Sequence, residues 1–156
     1  MTIKVKRILL AEDSDRDAEL TINALTQHNL VNEVERVRDG AEALDYLYRR
    51  GPFSSRLNGH PALVLLDLKM PKVDGLEVLH QIRSDPQLRL IPVVVMTSSS
   101  EEQDVVRSYE LGANAYVVKP VKFDEFMHAV RQIGVFWAVI NEPPPIDQPG
   151  VKSDPS

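Results

Sequence analysis

Four short apolar runs, each followed by a polar residue, dominate the pattern of hydrophobic and polar positions in this chain. A run of four to eight apolar residues bounded by turn signals is typical of a buried strand. The runs are Ile8–Ala11, Ala62–Leu66, Ile91–Met96 and Ala115–Val118. The polar residues that come after them are Glu12 and Asp13, Asp67, Thr97, and Lys119. Because open α/β folds bind ligands at the carboxyl ends of their strands, the pattern predicts a single site at one sheet edge.

Amphipathic segments alternate with the apolar runs and predict helices. The predicted helices run from about Asp15 to His28 with Ser14 or Asp15 as cap, over Ala41–Tyr48, over Leu76–Ile82, from a cap at Ser98 to Gly112, and from about Lys122 or Asp124 to Ile140. A less regular strand is predicted around Val34–Arg38, and Gly51–Pro61 is predicted to be a loop. Strand and helix alternate five times. This predicts an α/β fold, a doubly wound five-stranded parallel sheet with helices on both faces.

The chain of 156 residues divides into one folded domain, residues 1–140, and a proline-rich tail, residues 141–156. The tail places five prolines among polar residues, so we expect it to be extended or disordered. No segment after residue 140 has the length of a DNA-binding or catalytic module. We therefore expect a switch that acts through protein contacts.

The amino-acid composition argues against several kinds of binding partner and functional site. The formal net charge is −5, which argues against nucleic-acid or membrane-surface partners, because both favour a basic patch. The absence of cysteine excludes disulfides, thiolate catalysis and thiolate-bound metals. No signal peptide precedes the first strand and no apolar stretch has membrane-spanning length, so a cytoplasmic location is expected.

The predicted cluster of Glu12, Asp13 and Asp67 suggests metal-assisted phosphoryl transfer. Clustered carboxylates repel one another, and a hard cation such as Mg²⁺ offsets that repulsion. Lys119 adds a positive charge and Thr97 a hydroxyl group, both suited to phosphoryl oxygens. Asp67, the single carboxylate on the central strand, is the best candidate nucleophile, and the product would be an aspartyl phosphate.

Five motifs occur in register: Glu12–Asp13, Asp67, the loop from Met70–Pro71 to Asp74–Gly75, Thr97, and Lys119–Pro120. With these motifs, residues 5–140 resemble the receiver domain of two-component response regulators. The resemblance implies a flavodoxin-like receiver fold and a phosphorylation-controlled switch in place of a conventional enzyme, one that supports its own phosphorylation and dephosphorylation. Phosphohistidine on a sensor histidine kinase is the implied phosphoryl donor.

The resemblance also implies roles for individual residues. Asp67 is the implied phosphoacceptor. Asp13, Asp67 and the Lys69 carbonyl are the implied Mg²⁺ ligands, with Glu12 acting mainly through water. Thr97 and Tyr116 are the implied switch pair, Lys119 contacts the phosphoryl group, and the Lys119–Pro120 peptide bond is expected to be cis.

A narrower resemblance rests on three further stretches of sequence. These are Tyr48–Ser54, His60–Leu63, and the ending Phe136–Trp137 with Asn141–Pro144. They are similar to the corresponding stretches of phytochrome-associated single-domain response regulators. The implied phosphoryl donor is a phytochrome-type histidine kinase, and the downstream partner is a protein or a histidine phosphotransfer domain.

The last predicted helix carries more apolar surface than one buried stripe requires. Ile133, Phe136, Trp137 and Ile140 share one helical face, and Val135 and Val139 lie off it. We expect this face to contact a second copy of the chain, forming a homodimer. The alternative is that the tail folds back over it.

Two other functional classes are compatible with the sequence. An aspartate-nucleophile phosphohydrolase usually has a second acid two residues after the nucleophile, and here that position is Lys69. A phosphate-independent adaptor would use the fold only for binding, and such proteins often lack acidic or lysine residues that this chain has. Phosphorylation with acetyl phosphate and Mg²⁺ separates the three classes.

Overall fold

Five parallel strands form the sheet predicted from the sequence. The computed structural model describes residues 7–27, 33–56, 59–70, 72–98 and 107–134. Within these ranges the strands are β1 (Arg7–Ala11), β2 (Glu33–Val37), β3 (Leu63–Asp67), β4 (Val93–Thr97) and β5 (Ala115–Val118). Their order in the sheet is β2-β1-β3-β4-β5, and every neighbouring pair is parallel. This confirms the predicted doubly wound sheet.

Three of the five connecting helices start at side-chain caps. The five helices are α1 (Asp15–Thr26), α2 (Gly40–Tyr48), α3 (Gly75–Ser84), a helical turn α4 over residues 107–110, and α5 (Phe123–Gln132). Ser14, Asp39 and Asp74 each accept a hydrogen bond from the backbone N–H three residues further on. These polar residues satisfy backbone donors that the first turn of a helix leaves unpaired, and so set where α1, α2 and α3 begin.

Two apolar cores lie on opposite faces of the sheet. Successive side chains of a strand point to opposite faces, so Leu9 joins one core and Leu10 the other. The first core contains residues of α2 and α3, and the second contains residues of α1 and α5. Every residue of β1, β3 and β4 is buried, which explains the run of four apolar residues that each strand contains.

The segment predicted as a loop contains a short helix. Gly51–Phe53 is a 3₁₀ helix, and Arg56 anchors the end of this segment by donating hydrogen bonds to the carbonyls of Tyr46 and Gly59. The Arg56 guanidinium also lies 4.3 Å from the centre of the Tyr46 ring. These contacts of one arginine have no local sequence signature.

The predicted last helix to Ile140 is wrong in its length. Helix α5 ends at Gln132. Two residues later, Gly134 has a backbone φ of +79°, which is a left-handed conformation that favours glycine and terminates helices. The helix predicted to run without a break to Ile140 therefore ends before Gly134. Ile133 packs against the second core. Phe136, Trp137, Ile140 and the tail lie outside the described residues.

No helix in the described part of the chain is long and apolar enough to cross a membrane.

Candidate phosphoryl-transfer site

The carboxyl ends of four strands bring the predicted residues together. Ala11 at the end of β1 is in register with Leu66, so Glu12 and Asp67 come next at neighbouring positions. Thr97 at the end of β4 pairs with Val118, directly before Lys119. Glu12, Asp67 and Thr97 are buried, whereas Asp13 is exposed. The site therefore has a buried floor and one carboxylate at its rim.

The Lys119 ammonium group is the centre of the site. Its Nζ donates to Glu12 Oε1 at 3.0 Å, to Asp17 Oδ2 at 3.1 Å and to Asp67 Oδ2 at 3.3 Å. The Lys119 side chain is only 13% exposed. Burial on its own lowers the pKa of Lys119, but the hydrogen bond to Glu12 and the charges of Asp67 and Glu12 raise it above its usual value. Lys119 therefore remains protonated and supplies a fixed positive charge.

The buried carboxyl group of Glu12 accepts two hydrogen bonds. Its Oε1 accepts from Lys119, and its Oε2 accepts from the Ser14 backbone N–H at 3.1 Å. Burial and the negative charge of Asp67 nevertheless raise the pKa of Glu12 to about 7. The charged form of Glu12 is thus costly in the absence of a further cation.

The three predicted acidic residues can share one cation. Glu12, Asp13 and Asp67 each offer a carboxylate oxygen, and these oxygens lie within 4.8 Å of one another. Hard divalent cations prefer carboxylate, carbonyl and water oxygens, and this donor set supplies no nitrogen or sulfur. The residues therefore fit Mg²⁺. Asp13, at the exposed rim, leaves room for the water molecules that Mg²⁺ retains.

The loop after β3 holds Asp67 in place. The Lys69 backbone N–H donates to Asp67 Oδ1 at 3.2 Å, and Gly75 N–H donates to the Leu68 carbonyl at 2.9 Å. A Cβ atom on Gly75 would overlap the main-chain oxygen of Asp67 and lie 2.6 Å from the Leu68 Cα. Gly75 thus lets α3 begin directly against the strand that carries Asp67.

Thr97 and Tyr116, the predicted switch pair, occupy different environments. Thr97 is buried, and its carbonyl accepts a hydrogen bond from Lys119 N–H at 2.8 Å. Tyr116 on β5 is 39% exposed, and its ring meets Tyr109 edge to face with centroids 6.1 Å apart. The Tyr116 ring borders a groove of about 690 Å³ between β5 and α5. The Lys119–Pro120 peptide bond is cis.

Two contacts of the site were missing from the sequence prediction. Asp17, in the first turn of α1, forms an ion pair with Lys119, and Arg36 on β2 donates to the Glu12 carbonyl at 3.0 Å. Arg36 also bonds Asp15 Oδ1 at 2.9 Å. The sequence did contain one indication of the role of Asp17, because Asp17 follows the acidic pair Glu12–Asp13 by about one helical turn. Arg36 had no signal, because a charged residue on an edge strand usually faces water.

The sequence belongs to a known family. The sequence model of the response regulator receiver domain family matches residues 8–131. The chain is therefore a member of the receiver-domain family. The response regulator Rcp1 of Synechocystis is 41% identical over 132 residues, covering 85% of this chain and 88% of Rcp1. The probable methanogenesis regulatory protein FilR2 of Methanothrix harundinacea is 41% identical over 137 residues, covering 88% of this chain and 86% of FilR2.

Solved structures with the same fold support this assignment. The bacteriophytochrome response regulator RtBRR is 64% identical, with a TM-score of 0.80 over 91% of this chain and 86% of that one. The bacteriophytochrome response regulator AtBRR is 58% identical, with a TM-score of 0.82 over 90% of this chain and 100% of that one. A Mn²⁺-bound Rcp1 structure is 39% identical, with a TM-score of 0.69 over 90% and 99% of the two chains. Receiver domains bind such cations at an acidic site.

Proposed function

We propose that this protein is a phosphorylation switch in which Asp67 accepts a phosphoryl group from phosphohistidine on a sensor histidine kinase. The observation that supports this proposal most strongly is that the Lys119 ammonium group donates to both Glu12 and Asp67, within a cluster of three carboxylates. Response regulators receive their phosphoryl groups from sensor histidine kinases, and this chain belongs to their receiver family.

In the proposed transfer, an Asp67 carboxylate oxygen attacks phosphorus in line with the phosphorus–nitrogen bond. That bond breaks, and the imidazole nitrogen of the donor keeps its electron pair. Mg²⁺, held by Asp13, Asp67 and the Lys69 carbonyl, with Glu12 acting through water, would neutralise phosphoryl oxygen charge. Lys119 and the Thr97 hydroxyl would hold the remaining oxygens. We propose that hydrolysis of the aspartyl phosphate by water at the same site resets the switch.

We propose that phosphorylation of Asp67 changes the position of Thr97 first and that of Tyr116 second. Thr97 would turn towards the phosphoryl group and leave space behind it for an aromatic ring. Tyr116 is supported as that ring because it lies on the neighbouring strand, exposed, with a groove beside it. Inward movement of Tyr116 would change the surface formed by β5 and α5, which a partner protein reads.

The phosphoryl donor is proposed to be a phytochrome-type histidine kinase, which would make red and far-red light the signal. This proposal is supported by two solved bacteriophytochrome response regulators that are 64% and 58% identical to this chain. We further propose a homodimer that involves Ile133, Phe136, Trp137 and Ile140, of which Ile133 alone is among the described residues. The downstream partner would be a protein or a histidine phosphotransfer domain.

Intact-mass measurement after incubation with acetyl phosphate and Mg²⁺ tests the central proposal. We expect a gain of one phosphoryl group in the wild type, no gain in Asp67→Asn, and an unchanged gain in the control Glu77→Gln, because Glu77 is exposed on α3 and is not one of the clustered carboxylates. Wild-type protein that gains no mass would support the adaptor class, and steady turnover of an external phosphate ester would support the hydrolase class. Phosphotransfer from a panel of histidine kinases, one of them a phytochrome kinase, tests the donor.

A further inference from the structure

Asp17 occupies a position at the site that the proposed phosphoryl transfer does not use. A lysine ammonium group has three N–H donors and no acceptor. All three donors of Lys119 already face carboxylates, those of Glu12, Asp17 and Asp67. A phosphoryl oxygen that bonds Lys119 must therefore compete with these carboxylates for a donor.

Two of the three carboxylates are held in place. Glu12 is fully buried and also accepts from the Ser14 N–H, and Asp67 is buried and also accepts from the Lys69 N–H. Asp17 differs, because its side chain is 37% exposed and Lys119 is its ion-pair partner within the described part of the chain. Rotating an exposed carboxylate into water costs little compared with moving a buried one.

The local geometry of α1 explains why Asp17 reaches Lys119. Asp17 is three residues after the helix cap Ser14, where an acidic side chain often turns back to the N–H of the cap residue. Here Glu12 already accepts from the Ser14 N–H, so Asp17 bonds Lys119 instead. A groove of about 260 Å³ beside Asp17 and Lys119, lined also by Ser98 and Pro120, gives the released carboxylate space.

We infer that Asp17 is a positioning residue that holds the third donor of Lys119 in the resting state and is displaced by the incoming phosphoryl oxygen. This inference rests on the proposed function of Asp67. Asp17 therefore competes with the phosphoryl group, and its removal favours the phosphorylated form. A residue that only stabilised the fold would have no such effect on phosphoryl-analogue affinity.

Beryllofluoride, formed from beryllium chloride and sodium fluoride, is the phosphoryl analogue for the test. Its affinity is measured by calorimetric titration at saturating Mg²⁺, and the melting temperature of each variant is recorded alongside. Loss of a half-exposed ion pair predicts that Asp17→Ala binds the analogue about two- to fivefold more tightly, with Asp17→Asn between Ala and wild type. Glu19→Gln, an exposed charge loss on the same helix, is expected to match wild type.

The outcomes separate this inference from the proposed function. Wild-type protein that binds the analogue, together with an Asp17→Ala variant of equal or weaker affinity, overturns the role of Asp17 alone. Tightening of the same size in Glu19→Gln also overturns it, because a general charge effect would then explain the result. Wild-type protein that neither binds beryllofluoride nor is phosphorylated by acetyl phosphate contradicts the proposed function itself.

Discussion

Lys119 Nζ and Glu12 Oε1 lie 3.0 Å apart although 107 residues separate them in sequence. Both side chains are largely removed from water, with exposed fractions of 13% and 0%. The Lys119 charge does not fully offset the burial of Glu12 beside Asp67, because the pKa of Glu12 is still raised to about 7. Ionised Glu12 therefore carries an electrostatic cost that a bound cation would relieve.

The raised pKa of Glu12 predicts a specific pH dependence of stability without metal. The folded state holds the Glu12 proton more tightly than the unfolded chain, whose pKa is near 4.5. Below about pH 4.5 Glu12 is protonated in both states, and its burial carries no electrostatic cost. As the pH rises towards about 7, ionisation of Glu12 lowers the free energy of unfolding, and above about pH 7 this loss stays constant. Between about pH 5 and pH 8, we expect the free energy of unfolding to fall less in Glu12→Gln than in the wild type. The difference is expected to be on the order of 1–3 kcal/mol.

Urea unfolding in the presence of a chelator measures this effect. Glu19→Gln is the matched control, since Glu19 is exposed on α1 and should leave the pH dependence unchanged. Equal slopes for wild type and Glu12→Gln would show that burial of Glu12 carries no such cost. Saturating Mg²⁺ is expected to stabilise the wild type more at the higher pH, where Glu12 is ionised.

Replacing Lys119 with methionine is expected to weaken binding of a phosphoryl group. The ammonium group is the charged hydrogen-bond donor next to Asp67, and its loss predicts roughly 10- to 100-fold weaker beryllofluoride binding. Lys122→Met is the control, because Lys122 is exposed three residues further on. Analogue affinity equal to wild type in Lys119→Met would mean that Lys119 does not contact the phosphoryl group.

The strand ends of the site were predictable from sequence because their signals are local. An apolar run followed by a carboxylate, hydroxyl or amine marks Asp67, Thr97 and Lys119 without knowledge of the rest of the fold. Parallel topology then requires these ends to meet at one edge of the sheet. The clustering of the acidic residues is a consequence of the same reasoning.

The remaining features depend on relationships between distant residues. The contact of Asp17 with Lys119 requires the first turn of α1 to face a strand end 102 residues away. Local periodicity carries no information about that orientation. The end of α5 was missed for a different reason: an apolar stripe continues in sequence past Gly134, but the left-handed backbone there stops the helix at Gln132.

Gly75 is predicted to tolerate no side chain, because its Cβ position overlaps the main chain of Asp67. Gly75→Ala must displace either α3 or the end of β3. We expect a loss of more than about 2 kcal/mol in the free energy of unfolding and slower phosphorylation by acetyl phosphate.

Gly59→Ala is the matched control for this substitution, since a Cβ at Gly59 would meet no described atom within 4 Å. We expect it to change stability by no more than about 0.5 kcal/mol. Urea unfolding and intact-mass kinetics of both variants test the prediction. Gly75→Ala with wild-type stability would show that the close approach of α3 to Asp67 is not required.

Arg83 is predicted to contribute strongly to stability, because its guanidinium joins α3 to two other segments of the chain. Nε donates to the Gly112 carbonyl at 2.8 Å, Nη1 to the Ile91 carbonyl at 2.9 Å, and Nη2 to Asn114 Oδ1 at 2.7 Å. Asn114 Oδ1 also accepts from the Val93 N–H that begins β4. Arg83→Met removes all three of these donors and is expected to cost about 2–4 kcal/mol.

Two further variants make the Arg83 prediction specific. Arg83→Lys keeps the positive charge but cannot donate in three directions from one plane, so we expect it to recover less than half of the lost stability. Arg89→Met removes an exposed arginine side chain from the adjoining turn and should change stability by no more than about 0.5 kcal/mol. Chemical unfolding of the three variants measures the differences. Full recovery in Arg83→Lys would mean that charge, and not the geometry of the guanidinium group, holds α3 to the start of β4 and β5.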